Sequence, residues 1–514
     1  MKTLLPIAYL AIPIHGATVH GRSHYTRQSA VSETACNGIN YEYEELAAYG
    51  YVVSDAVDKF GDTLGGLGSS THLDQAAWKK LDNGSYTGVL WSLTDRGWDT
   101  QGTLNFNPRV HKFSIVFTPA PAATVENPSG PNLFFQYQDT ILFSGPDGAP
   151  CTGLDPDASG HLSFPGFPDL PVATYTGDGF GEDGPGGKRL AVDAEGLYVN
   201  EDSSFWVSDE YGPYVYLFGP DGKMLSAIKP PDAFIPMRSG DISFSSDSPP
   251  IYNNTEGNDV DPADPDSGRD NNHGFEGLSM SNDGKSLWVL LQLAAVQEGG
   301  LELQTSRHVR FLKYDVSNRR APVYAGEWVV PLPLYNNPGT GFMSTAMTEI
   351  LALDNGQFFI LNQAAGAGRG KDSSLSIYRQ VDIFDISKAT DIKGDYDCAG
   401  CNIAAAESGE LKKDITPATF CSFIDFNINA QLKRFGLHNG GDQDQFLLNE
   451  KWESLGMVPV DPDTPTGEFY LFSLSDNDFI TQSGHMNGGK LPYAVAGGYN
   501  IDSQALVFKI SISS

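Results

Sequence analysis

Between Arg189 and Pro213 two short apolar runs flank a polar turn, and the rest of the chain repeats that arrangement. Leu197 and Val199, then Phe205 and Val207, recur at period two, which predicts two strands, and Asn200 to Ser204 supplies the turn that joins them as a hairpin. A Glu-Gly pair opens the first strand and acidic residues close the second. Phe275-Glu276-Gly277-Leu278 leads in the same way through Asn282-Asp283-Gly284 to Leu287-Trp288-Val289-Leu290. Thr348-Glu349-Ile350-Leu351 leads through Asp354-Asn355-Gly356 to Phe358-Phe359-Ile360-Leu361. A looser copy runs from Trp452-Glu453-Ser454-Leu455 to Phe469-Tyr470-Leu471-Phe472, and a fifth, without the glutamate, from Gly65-Gly66-Leu67 to Val89-Leu90-Trp91-Ser92.

Strand pairs that return at irregular intervals of tens of residues predict an all-β chain folded as a single β-propeller with long loop insertions. Five starts are visible; six blades are expected, within a range of five to seven. The first blade is drawn through 88–93, 110–118, 133–138 and 140–144. The second runs through 197–228, the third continues with 309–314 and 324–330, and the fourth with 376–386. A final strand at 505–510 is placed to pair with an N-terminal strand and close the ring, which removes exposed sheet edges. The Pro- and Gly-rich stretch 145–187 is too long for an idle connection and reads as a cap over one face or a disordered segment.

Composition changes this picture little. The 514 residues include 56 Gly and 32 Pro, which suits many turns, and 40% hydrophobic residues suffice for a core. A formal net charge of −31 disfavours nucleic acid and anionic membrane surfaces as partners. That charge is either a solvated acidic surface or an attraction for divalent cations.

Residues 1–17 have the layout of a secretory signal peptide, with Lys2 before an apolar run and small residues after it. Residues 18–48 are expected as a flexible segment and 49–514 as the propeller domain. No later apolar run reaches the ~20 residues needed to span a bilayer. The expectation is a secreted monomer acting on a small molecule, with glycosylation sequons at Asn83 and Asn253. Five cysteines leave at least one outside any set of disulfides, and Cys398-Ala-Gly-Cys401 reads as a loop disulfide in an oxidising compartment.

In a propeller the innermost strands line a central channel, so Glu195, Glu276, Glu349 and Glu453 converge if they occupy equivalent positions. Such carboxylates either hold a hard divalent cation, Ca2+ for choice, or hydrogen-bond the backbone of neighbouring blades as structural staples. The ends of the next strands carry Asp95, Arg96, Asp209, Glu210, Gln292, Asn362, Asp476, Asn477 and Asp478, polar residues placed to build a pocket at one face. Asp95, Arg96, Asp476 and Asn477 are the candidate substrate contacts. His273, three residues before Glu276, is a candidate general acid or base with Asp209 and Glu210. Neither Gly-x-Ser-x-Gly nor His-Glu-x-x-His occurs, so an α/β-hydrolase or a zincin is not supported. The acidic run from Asp259 to Asp270 lacks the glycine and closing glutamate of an EF-hand.

Taken together, Asp193-Ala-Glu-Gly-Leu197, Trp206-Val-Ser-Asp-Glu-Tyr-Gly-Pro-Tyr214, Gly274-Phe-Glu-Gly-Leu278 and Ser475-Asp-Asn-Asp-Phe479 resemble the phytase-like family described by an esterase-like activity. The resemblance runs from about Gly65 to Ile510. It implies a secreted or periplasmic β-propeller that hydrolyses phosphate or carboxyl esters. Leu361-Asn362-Gln363 stands where the family usually shows a Glu-Arg pair. Arg96, Arg189, Arg238, Arg269 and Arg369 are scattered, so binding a highly phosphorylated substrate would rely on calcium bridging. The rival expectation is a non-catalytic secreted propeller that binds a protein or glycan through its loop face.

Overall fold

Consecutive antiparallel strands fold back on one another four at a time, and a computed structural model describes the result for residues 29–98, 101–253 and 260–513. The first unit comprises Ser70–Leu73, Tyr86–Leu93, Arg109–Phe117 and Leu133–Leu142. The second comprises Ala194–Val199, Phe205–Asp209, Val215–Phe218 and Met224–Ile228. Phe275–Met280, Ser286–Leu291, His308–Asp315 and Val323–Pro331 make the third, and Ala346–Ala352, Gln357–Gln363, Arg379–Asp385 and Thr419–Asp425 the fourth. The fifth takes Gly456–Pro459, Glu468–Leu474 and Ser503–Ser513 from the C-terminal end and Ile39–Val52 from the N-terminal end.

Apolar clusters fill each gap between units. One joins the first and second through Trp91, Val110, Leu197 and Val207, the next joins the second and third through Trp206, Val215, Leu278 and Leu287, and a third joins the third and fourth through Trp288, Phe311, Phe358 and Phe384. Phe359, Ile383, Leu471 and Phe508 join the fourth to the fifth, and Tyr470, Phe472, Leu90 and Phe113 join the fifth back to the first. The five clusters close a ring, which makes the chain a β-propeller. Its five four-stranded units match the five starts visible in the sequence, and no sixth four-stranded sheet occurs among the described residues.

Several boundaries differ from expectation. Residues 32–48 are not a flexible leader: Ser32–Cys36 and Ile39–Val52 are paired strands, with polar residues on the outer face and Tyr41, Tyr43 and Leu46 buried. The innermost strand of the first unit is Ser70–Leu73, and the two strands drawn over 133–144 are one strand with a register shift between Lys112 and Phe113 of its partner. The fourth unit's outer strand, Thr419–Asp425, follows a long excursion after Asp385. The signal peptide expected at 1–17 lies outside the described residues, as does the side chain of Asn253, whereas Asn83 is exposed in a turn.

Closure is reinforced covalently by a disulfide from Cys36 to Cys421, which ties the N-terminal hairpin to the outer strand of the fourth unit. Cys398 and Cys401 form the second disulfide and Cys151 is a buried thiol. The insertion 145–187 is ordered. Residues 145–187 pack onto the second unit, where Tyr211 and Tyr214 hydroxyls donate to the carbonyls of Gly153 and Asp169. Residues 230–252 and 260–272 wrap round two buried arginines: Arg238 donates to carbonyls of Ser243, Ser245 and Ala263, and Arg269 to those of Tyr211 and Phe244. No helix among the described residues is long and apolar enough to cross a membrane.

Candidate active site

Because neighbouring strands are antiparallel, the start of each innermost strand and the end of the next lie at the same face of the ring. The units repeat one hydrogen bond there. The N–H of Glu210 donates to the carbonyl of Asp193 at 2.9 Å, that of Gln292 to Gly274 at 3.0 Å, and that of Asp476 to Lys451 at 2.9 Å. Asp193, Gly274 and Lys451 are therefore equivalent, and each stands two residues before a glutamate: Glu195, Glu276 and Glu453.

Two of these glutamates sit at a break in register. The pairing skips between Ala194 and Leu197 and between Phe275 and Gly277, leaving Glu195 and Glu276 in bulges. The adjoining glycine permits the close approach of the strands. A Cβ on Gly196 would lie 2.4 Å from Leu278 Cβ and 2.5 Å from Ser208 Oγ.

Glu349 is not the fourth member of this set. In its unit the skipped residue is Thr348, and Glu349 pairs with Leu361 as Gly277 pairs with Leu290. The similar tetrapeptides are thus offset by one position, and a one-residue offset sends a strand side chain to the other side. Glu349 accepts from Ser70 Oγ at 2.5 Å, from the N–H of Leu278 at 3.1 Å and from its neighbour Ile350 at 2.8 Å. Ser70 Oγ accepts in turn from the N–H of Leu197 at 3.1 Å. Four units meet at this buried pair, so Glu349, expected as a metal ligand, has its carboxylate oxygens taken up by donors from three units and staples the ring.

The other acids gather. Ligand oxygens of Asp193, Glu195 and Glu210, all buried, lie within 4.8 Å of one another. Burial pushes the Glu195 carboxyl well above the ordinary range, and the nearby Glu276, Asp193, Glu210 and Asp95 push it further. Glu276 is raised by burial, then by Glu210 and Glu453 on either side, while Lys451 opposes the shift. Glu210 rises to about 8, again chiefly through burial, with Asp193 adding to it and Arg96, Arg269 and Lys451 opposing. Oε1 of Glu210 and Oε2 of Glu276 are buried with no hydrogen-bond partner among the described residues. A cluster of this kind needs protons or a cation to offset its charge.

The remaining expected residues divide into those that face this cluster and those that hold the scaffold. Arg96 borders it, its N–H donating to Asp193 Oδ1 at 3.0 Å and its Nη1 lying 3.5 Å from Asp193 Oδ2. Asp95 accepts from the N–H of Gly97 at 2.8 Å. Asp476 pairs with Lys451 at 3.0 Å. Asp209, expected to move protons, is fully occupied by donors: the N–H groups of Asp193, Tyr211 and Gly212 and the hydroxyl of Tyr216. Asn477, expected to meet substrate, instead fastens loops, accepting from Gly66 and Phe479 and donating to Ile501. His273 Nδ1 lies 3.0 Å from Asp270 Oδ2 and is about one-third exposed. The next residue, Gly274, packs against the backbone of Glu210, where a Cβ would come within 2.2 Å of its carbonyl oxygen.

Two residues of the site, Asp193 and Lys451, escape sequence reasoning. Their signal is the shared offset of two residues before a glutamate, which becomes meaningful once the repeated hydrogen bond fixes the alignment.

A relative from Arthroderma benhamiae, an uncharacterized secreted protein, is 49% identical over 487 residues, which cover 92% of this chain and 94% of its own. Solved structures share the overall form only distantly. An N-acetylgalactosamine deacetylase from F. plautii is 9% identical with a TM-score of 0.31, covering 91% of this chain and 95% of its own. The WD40 domain of coronin from Toxoplasma gondii is also 9% identical with a TM-score of 0.27, covering 94% and 89%. Likeness that low carries no argument about activity. The family model described as the esterase-like activity of phytase matches residues 81–479, and the chain belongs to this phytase-like family.

Proposed function

We propose that this protein is a secreted hydrolase of phosphate or carboxyl esters that works with calcium held at the axial carboxylates. The observation that carries the proposal is the buried trio Asp193, Glu195 and Glu210. Oxygens on opposite sides of a calcium ion, each about 2.4 Å from it, are about 4.8 Å apart, so the trio fits a hard cation with oxygen ligands. Calcium bound there supplies positive charge beside an ester oxygen and a water. Arg96, fixed by Asp193 at the edge of the cluster, is placed to orient an anionic group of the substrate. His273, held by Asp270 on the loop that packs against Glu210, is the imidazole available to move a proton on this face. Secretion agrees with the two disulfides, which persist in oxidising compartments, and with the secreted relative.

The test is calorimetry with calcium on chelator-stripped protein, comparing the parent with a Glu195→Gln, Glu210→Gln double variant. Release of nitrophenol from phosphate and carboxyl esters is then followed with and without the ion. A site present in the parent and lost in the double variant, with calcium-dependent turnover, supports the reading. Absence of binding in the parent sinks it and favours the non-catalytic propeller that binds a protein or glycan, a reading supported by the purely structural use of Glu349.

A further inference from the structure

The axial cluster has two ends, and they are neutralised differently. At the end formed by the second unit, Asp193 precedes Glu195 by two residues and the carboxylates share one another's company. At the end formed by the fifth unit, the equivalent position is Lys451. Its Nζ lies 3.0 Å from Asp476 Oδ2, 3.0 Å from Asp478 Oδ1 and 3.7 Å from Glu453 Oε1. Three carboxylate oxygens thus surround one ammonium, as they would surround a metal ion. Glu276 accepts from Gln292 Nε2 through Oε1, while its Oε2 is buried without a hydrogen-bond partner among the described residues, and both Glu210 and Glu453 raise its carboxyl beyond what burial does.

We infer that Lys451 is a resident cation that occupies the second ion position of the axial centre and limits the protein to one divalent ion. The ammonium is covalently tethered and carries one charge instead of two, so it stays when calcium is stripped and keeps the fifth-unit acids together. Its side chain is 27% exposed, at the bottom of a crevice lined by Arg369, Lys371, Glu450, Asp476 and Asp478. Two-ion hydrolases clamp both oxygens of a displacement between metals; here a lysine takes the place of one of them.

The inference builds on the calcium reading but is tested separately, by counting calcium ions bound per chain with calorimetry. The parent and Lys451→Arg are expected to bind one at the axis, Lys451→Met two, and Lys451→Met with Glu453→Gln one again. A Lys451→Met protein that melts cooperatively and binds no more calcium than the parent overturns the inference. No ion in the parent but one in Lys451→Met leaves it standing and overturns the calcium reading of the second-unit trio instead. Should Lys451→Met fail to fold in chelator, it is expected to fold in about 10 mM calcium, roughly tenfold above the weak end of natural calcium sites, because the ion replaces the ammonium; failure there too overturns the inference.

Discussion

Ser70 Oγ donates to Glu349 Oε2 at 2.5 Å, joining the innermost strands of the first and fourth units, which are not neighbours in the ring. The bond therefore crosses the axis. Glu349→Ala leaves the Ser70 hydroxyl and the N–H groups of Leu278 and Ile350 buried without their acceptor, and the expected loss is about 3 kcal/mol, read by denaturant titration.

The same residue makes a pH prediction. Burial raises the Glu349 carboxyl to about 8. Between the ordinary value of 4.5 and about 8 it keeps its proton in the fold and loses it in the unfolded chain, so the folded state binds more protons and stability falls as pH rises. Its contribution is complete below 4.5 and gone above about 8. Melting temperatures across this range are expected to decline less steeply in Glu349→Gln than in the parent; parallel curves would refute the assignment.

Asp209 and Glu210 are adjacent but have opposite roles. Asp209→Ala removes the acceptor for four donors and is expected to cost about 3 kcal/mol or more of stability. Glu210→Gln keeps the fold and weakens calcium binding, which calorimetry and melting curves separate. In the parent, calcium at a hundredfold excess over its dissociation constant is expected to add about 2.7 kcal/mol of stability, an increment that Glu210→Gln reduces.

Gly196→Ala forces a methyl group against Leu278 and Ser208 at a close approach of the second and third units. A loss of about 2 to 3 kcal/mol is expected by denaturant titration. Loss of calcium affinity should accompany it, because the neighbouring Glu195 is displaced.

The Cys36–Cys421 disulfide closes a loop across a separation of 385 in the 514-residue chain. Replacing both cysteines with serine is expected to reduce stability by about 2 to 4 kcal/mol. Hydrogen exchange should then rise first in Ser32–Cys36, whose side chains otherwise reach the fourth unit through Ser32 and Thr34.

Much of this protein is legible in its sequence because a strand pair announces itself locally. Apolar alternation and Asn-Asp-Gly or Asp-Asn-Gly turns locate the first two strands of the third and fourth units, and Glu195, Glu276 and Glu453 mark the start of each innermost strand in theirs. What the sequence by itself determined is the repeating unit, its all-β class and the acidic character of one face. The tertiary structure alone decided which residues share that face. Glu349 looks like its counterparts in one dimension, yet a bulge placed one residue earlier turns it to Ser70 and the N–H of Leu278, because strand side chains alternate with period two and register is fixed by pairing partners far away. Asp193 and Lys451, 258 positions apart in the chain, became equivalent for the same reason: hydrogen bonds between strand ends, and not the spacing of letters, align the repeats.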